Sequence, residues 1–445
     1  MEEGIHLQSG NAVTLETGSA QQLFDIVATG SQSVVASFVR AEFGTGRTPG
    51  ELITDVLAPV QREIGDRWHH NLWTVADEHV ATALVEQVVT ALASSAPNPP
   101  SSGRGRLAVV CAEREWHTLP ARMAAELWRW DGWDVTFLGG SVPPEQVGRW
   151  LASARPDVLA ISCSVSTAIP GVLRVAEVAT DVGVACVAGG AGLGVDPRLA
   201  RSLGMRWSAT PAGLAAALDG PDPDLDWAAL QNRRREADQL SSIVDPLADQ
   251  ALASLMAAHP GVPPYSEGER LDIRRDYRSI LEFLVATVLC DDVRIFTGFL
   301  EWLQTMLTSR DLPVTVLPAR VTALAGVLPR RHERSRYLCD QAVRWLVTGE
   351  HLLADGGPDW VVTTLAGSDR EQGRHPDGAS ATLGPREKLI LELMASGLAN
   401  RAIAEQLHLS VNTVRNHAQS ILRKLSAHSR LEAVAIAVTE GIIRR

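Results

Sequence analysis

Glu115-Trp116-His117 follows directly on an apolar run, Leu107–Cys111, and its two titratable side chains suit one task. A carboxylate two residues from an imidazole can accept the Nδ1–H, fix the tautomer and leave Nε2 as a donor to a metal ion. A second group, Trp68-His69 and then Glu78-His79 after eight residues, joins a bulky indole to two imidazoles and a carboxylate. Read alone, it is a helix end with an interfacial Trp and exposed charges. A third group lies near the C-terminus, where Asn412, Thr413, Arg415, Asn416, Gln419 and Arg423 would share one face of a helix. Arg can read guanine, and Asn or Gln adenine, in a DNA major groove. Thr413, His417, Arg423 and Lys424 are better placed as phosphate contacts, which position without specifying.

These groups need elements to hold them. Residues 19–94 read as a bundle of about four helices, with apolar spacing through Leu52, Val56, Leu57, Val60 and Ile64, and again through Val80, Ala83, Leu84 and Val88. Residues 106–218 alternate short apolar strands (Leu107–Cys111, Val135–Leu138, Val158–Ser162, Ala185–Ala188) with helices such as Ala121–Trp130 and Glu145–Ala154. That alternation predicts a doubly wound parallel α/β sheet, with ligands at the C-terminal ends of its strands. Residues 226–365 are helical again, clearest at Tyr277–Leu289, Val293–Leu307 and Arg334–Leu353. No chemistry-bearing group stands out there, and packing or dimerisation is the expected role. In 383–445, Pro385 opens a helix to about Ser396, Asn400 caps Arg401–Leu407, and Ser410 caps a longer helix from Val411 to about Leu425. Ile403, Ala404, Leu407, Val414 and Ile421 supply the shared core of a helix-turn-helix. The expected fold class is therefore multidomain, α and α/β. Linkers rich in Pro, Gly and Ser at 95–105, 219–225 and 366–382 separate the parts.

At 445 residues the chain is too long for one core. Its apolar content of 45% and charged content of 21% are those of a soluble globular protein. The net charge of −11 is unevenly placed. Residues 381–445 hold nine basic and five acidic side chains, a balance of +4; the rest hold 32 and 47, a balance of −15. Only the basic tail is expected to meet DNA. The five cysteines show no CxxC pairing and suit buried, reduced thiols. MEEGIHLQSGN has no apolar signal core, and no long apolar run suggests a membrane span. A cytoplasmic location follows as an expectation.

The C-terminal motif resembles the LuxR-type helix-turn-helix from Leu383 to Ile442. Leu383, Arg386-Glu387, Gly397, Ile403-Ala404, Leu407, Ser410, Thr413-Val414, His417, Ile421, Lys424-Leu425, Ser429-Arg430 and Ala433 carry the likeness. It implies a four-helix domain whose last helix, 429–441, dimerises, with Arg415, Asn416 and Gln419 at base edges of double-stranded DNA. The α/β segment resembles the cobalamin-binding Rossmann-like domain of corrinoid proteins, whose loop reads Asp/Glu-x-His-x-x-Gly. Glu115, His117 and Pro120 occupy those places. The likeness implies that His117 replaces cobalamin's own benzimidazole as the lower cobalt ligand. It places Ser162 and the pair Gly189-Gly190 beside the buried nucleotide tail. Pro120 in place of glycine predicts a shifted loop, since Pro also suits a helix's first turn.

The N-terminal bundle resembles the cap of CarH-type photoreceptors, in which Trp, nine residues, then Glu-His lies over adenosylcobalamin. Trp68, Glu78 and His79 match those places, and Val75 matches another cap position beside the adenosyl group. His69 matches the family's upper cobalt ligand in the light-exposed state, with His70 adjacent as a competitor. The resemblance implies a light-responsive regulator, not an enzyme, that uses adenosylcobalamin or another cobalamin form and binds DNA as a homo-oligomer. Sensing of cobalamin or its redox state without light would use the same residues. A corrinoid methyltransferase or isomerase subunit is the reading from another class, against which the fused DNA-binding segment argues.

Overall fold

A computed structural model describes residues 18–30, 32–95, 103–258, 265–310, 312, 315–348 and 385–395, with positions 403, 407, 414, 418, 421, 424, 437 and 442. These residues fall into two compact units, one drawn from Met1–Met306 and Leu317–Thr364, the other from Leu307–Val316 and Leu365–Arg445.

The first unit opens with α1 (Ser19–Ala28) and α2 (Gln32–Gly44). Pro49–Leu52, a π-helical turn at Ile53–Leu57 and Ala58–His69 then run on as one helix, α3. Its core residues Leu52, Val56, Val60 and Ile64 are all four apart and all buried. Four residues at 3.6 per turn overshoot by about 40° each time. The π turn, marked by the Ala58 N–H bond to the Ile53 carbonyl, absorbs part of that drift. The fourth helix, α4 (Val75–Ser95), starts at a reciprocal cap: the Asp77 carboxylate accepts from the Thr74 N–H and hydroxyl, and Thr74 accepts from the Asp77 N–H. Its buried stripe is Ala81, Leu84, Val85, Val88 and Val89. The sequence-based phase erred by placing Val80 and Ala83 inside; both are exposed, because the helix presents the neighbouring positions to α2 and α3.

Next comes a parallel sheet built from β1 (Arg106–Cys111), α5 (Thr118–Trp130), β2 (Asp134–Gly139), α6 (Pro144–Ala154), β3 (Val158–Ser162), α7 (Ile169–Asp181), β4 (Ala185–Gly189), α8 (Arg198–Ser202), β5 (Arg206–Ser208) and α9 (Leu214–Asp219). Its order, β2-β1-β3-β4-β5, reverses between β1 and β3, where a ligand crevice opens in such sheets. Leu119 and Met123 of α5 belong to the same buried core as the N-terminal bundle, so the bundle sits on the helix that follows the His117 loop.

The helices α10 (Trp227–Ser241), α11 (Val244–Ala258), α12 (Glu267–Cys290), α13 (Val293–Ser309), α14 (Val316–Val327) and α15 (Glu333–Thr348) follow. Tyr277 and Phe296 are their largest fully buried side chains. A salt bridge and a hydrogen bond tie them to the α/β domain: Arg234 pairs with Glu177, and Arg233 donates to the carbonyl of Ser202. The expected helix end at Leu353 lies outside the described residues.

In the second unit α16 (Pro385–Ala395) buries Ile390 and Leu391. Ile403, Val414 and Ile421 are fully buried and helical, as a helix-turn-helix core requires, while Leu407 is half-buried. Ala404 lies outside the described residues. No helix among the described residues is long and apolar enough to cross a membrane.

Candidate corrinoid site

The sheet register places the chemistry. Cys111 on β1 pairs with Ser162 on β3, which pairs with Gly189 on β4, so three strand ends form one row. The His117 loop leaves the first of them. Glu115 is 1% exposed and its carboxylate takes four hydrogen bonds. Oε1 accepts from the His117 backbone N–H at 2.8 Å and from His117 Nδ1 at 2.6 Å. Oε2 accepts from the Ser164 and Val165 amides at 2.6 and 2.9 Å. Glu115 thus ties the β1 loop to the β3 loop and fixes the imidazole in one act. Burial alone would raise the Glu115 pKa; the bonds from His117 and Val165 and the imidazole's charge overcome it and hold it below the ordinary carboxylate value. The hydrogen bond to Glu115 raises the His117 pKa against the effect of burial, and the charge of Glu78 adds to the rise. Among the described residues the His117 Nε2 has no protein partner, and the ring is 65% exposed.

Pro120 falls in the first turn of α5, whose backbone N–H groups have no acceptor within the helix. It removes no helical hydrogen bond there, and the Glu115–His117 pair stands intact beside it. Arg114 holds a left-handed backbone (φ 70°), its N–H bonded to Ser141 Oγ and its guanidinium paired with Glu282 of α12.

Gly190 adopts φ 108°, and a Cβ there would strike the Cys163 carbonyl. A Cβ on Gly189 would lie 2.8 Å from the Ser208 carbonyl. The glycine pair thus lets the β4 loop nest against the backbone of β3 and β5, a reason internal to the fold. Ser162 is half-buried at its strand end, its carbonyl accepting from Ala112 N–H.

The bundle packed on α5 carries the second group. Glu78 accepts from His79 Nδ1 at 2.5 Å and from Thr82 Oγ1 at 2.8 Å, which orients it. Val75, Leu72 and Trp116 are large apolar side chains left exposed. Trp68 and His69 end α3. His69 Nε2 donates to the Trp302 carbonyl at 2.9 Å, and the two rings stack at 5.0 Å and 4°. His70 is exposed and bonds the Asp66 carbonyl through Nδ1. Sequence reasoning missed Trp302, Arg114 and the two amides at 164 and 165. Trp302 is half-buried beside the apolar stripe of α13, a signal that it touches something without saying what.

The residues present suit a corrinoid. The donor is an imidazole with its tautomer fixed by a buried carboxylate, and exposed apolar side chains offer a face to a macrocycle. In the DNA-binding unit, Thr413, Arg415, Asn416, His417, Gln419 and Arg423 lie outside the described residues. Lys424 is described, and its Nζ donates to the buried Glu387 at 2.7 Å, a cross-link within the domain.

Models of known families match three stretches of the chain. Residues 19–93 and 105–210 match B12 binding domains, and 381–437 match the luxR family of bacterial regulatory proteins. The HTH-type transcriptional repressor CarH of Myxococcus xanthus is 36% identical over 115 residues, 26% of this chain and 37% of that protein. The uncharacterized transcriptional regulatory protein YxjL of Bacillus subtilis is 38% identical over 74 residues, 17% of this chain and 34% of that protein. The chain thus spans little more than a third of the length of these curated relatives. A solved structure, the Methanosarcina barkeri monomethylamine corrinoid protein, is 19% identical with a TM-score of 0.38, covering 44% of this chain and 95% of that one. The chain joins B12-binding domains to a C-terminal LuxR-type helix-turn-helix domain.

Proposed function

We propose that the chain is a cobalamin-dependent transcriptional regulator that responds to light through adenosylcobalamin. One observation carries this reading: His117, locked by buried Glu115, opens the helix whose Leu119 and Met123 share a core with the helical bundle that bears Trp68, Val75, Glu78 and His79. When bound, adenosylcobalamin supplies a light-labile cobalt–carbon bond. His117 Nε2 would hold the cobalt, with Glu115 keeping the proton on Nδ1. Ser162, Gly189 and Gly190 face the nucleotide tail. Trp68, Val75, Glu78 and His79 would cover the adenosyl group and exclude water from it. His69 is the imidazole assigned to the upper side in the light-exposed state. Arg415, Asn416 and Gln419 read base edges, while Thr413, His417 and Arg423 hold phosphates. The protein acts in the cytoplasm on double-stranded DNA, as a dimer at least.

A ligand event changes DNA binding only if the two states present the helix-turn-helix differently. The test is a dark and an illuminated sample of the full chain loaded with adenosylcobalamin. The reading expects illumination to change both the visible spectrum and the affinity for DNA. It fails if neither changes. Equal affinity in dark and light, with a difference between free and loaded protein, points to a cobalamin sensor that does not use light.

A further inference from the structure

The domain formed by α10 to α15 touches the site twice. Glu282 on α12 pairs with Arg114 in the His117 loop at 2.5 Å. Trp302 on α13 holds His69 by its carbonyl and by its ring. The indole of Trp68 lies 5.8 Å from Trp302 at 38°. Behind Trp302, Phe299 lies 6.0 Å away and stacks in turn on Phe283 at 3.9 Å. A chain of aromatic rings therefore runs from the end of α3 into the interior of the helical domain.

A carbonyl oxygen can only accept, so the His69 Nε2 in this arrangement carries the proton. A protonated ring nitrogen has no lone pair to give a metal. Recruiting Nε2 means breaking the bond to Trp302 and unstacking the rings.

We infer that the α10–α15 domain is the output element of the sensor, and that Trp302 is the positioning residue that parks His69 and couples its release to α13. This rests on the cobalamin reading above. The helix that holds His69 runs from Val293 to Ser309, so a disturbance at Trp302 acts along α13 itself.

The experiment uses the full chain in the dark with hydroxocobalamin, whose upper position exchanges without light. Absorption reports ligation, as the difference between wild type and His69→Ala. Hydrogen–deuterium exchange reports α13. In the wild type, loading should produce the His69-dependent spectrum and faster exchange in α13. Trp302→Ala should tighten the His69-dependent step by about threefold to tenfold, as expected for a lost aromatic contact. In that variant α13 should already exchange fast before loading. Trp302→Phe, which keeps part of the stack, should fall between. If Trp302→Ala does not fold, the comparison of wild type with His69→Ala still decides. Coloured protein with no His69-dependent spectrum, or with one but unchanged exchange in α13, overturns the inference alone. Protein that retains no corrinoid overturns the functional reading as well.

Discussion

Replacing Glu115 by Gln separates two jobs that one carboxylate performs. The Ser164 and Val165 amides can only donate, so the Gln oxygen must turn toward them. Its NH2 then faces His117, whose backbone N–H loses its acceptor at a cost of about 1–3 kcal/mol. The opposite orientation would strand two backbone N–H groups and is worse. The His117 ring can adapt by moving its proton from Nδ1 to Nε2, so that Nδ1 accepts from the Gln NH2. That change removes the lone pair needed at the lower cobalt position. Loss of such an outer partner typically weakens a metal site about tenfold to a hundredfold, or about 1.4–2.7 kcal/mol. Glu115→Gln should therefore stay folded, melt modestly lower, and bind adenosylcobalamin that much more weakly, with a spectrum lacking imidazole. Thermal melts of the free protein and a titration followed by absorption measure both. Wild-type affinity together with a wild-type spectrum would refute the tautomer argument.

His69→Ala should leave dark loading unchanged and alter only the illuminated spectrum; lost dark loading would contradict its place on the upper side. The raised pKa of His117 sets a pH dependence: below it Nε2 is protonated, and loading should weaken by roughly tenfold per pH unit, starting above the ordinary value of 6.5. For the free protein the signs differ. The His117 contribution to stability is complete below 6.5 and lost as pH rises through its raised value, whereas that of Glu115 is present above 4.5 and lost as pH falls through its lowered one. Melts across pH should therefore peak between these limits. Gly190→Ala should destabilise the α/β domain by about 1–3 kcal/mol or more, because φ 108° and the Cys163 carbonyl both oppose a side chain. Arg423→Ala should lower the salt slope of DNA binding by about one. Lys424→Met should leave that slope unchanged and lower the domain's stability by about 1–3 kcal/mol, since the buried Glu387 loses its ion pair with Lys424.

Much of the site was legible because its parts are local. Glu115 and His117 are two residues apart, and their hydrogen bond needs only a loop after a strand. The strands ending at Cys111 and Ser162 were readable from apolar runs, and the next one to within a residue of its end at Gly189, since a parallel sheet is covered on both faces. The phase of α4 was not, because Val80 and Val85 look alike until the partners of the helix are known. The other two donors to Glu115 are backbone amides fifty residues away, which no side chain announces. Trp302 is 233 residues from His69, and nothing in the helical repeat of α13 names its partner. The ion pair of Lys424 was not legible either, because Glu387 lies 37 residues away.

The most direct measurement asks which nitrogen sits below the cobalt. Protein grown with histidine carrying isotopically heavy nitrogen is loaded with cobalamin, reduced to the cobalt(II) form and examined by electron paramagnetic resonance. Coordination by His117 predicts lines split into doublets by the labelled nitrogen, and loss of that splitting in His117→Ala. Triplets untouched by the label would mean that the cofactor's own base, or another group without the label, holds the metal, and would contradict the account at its centre.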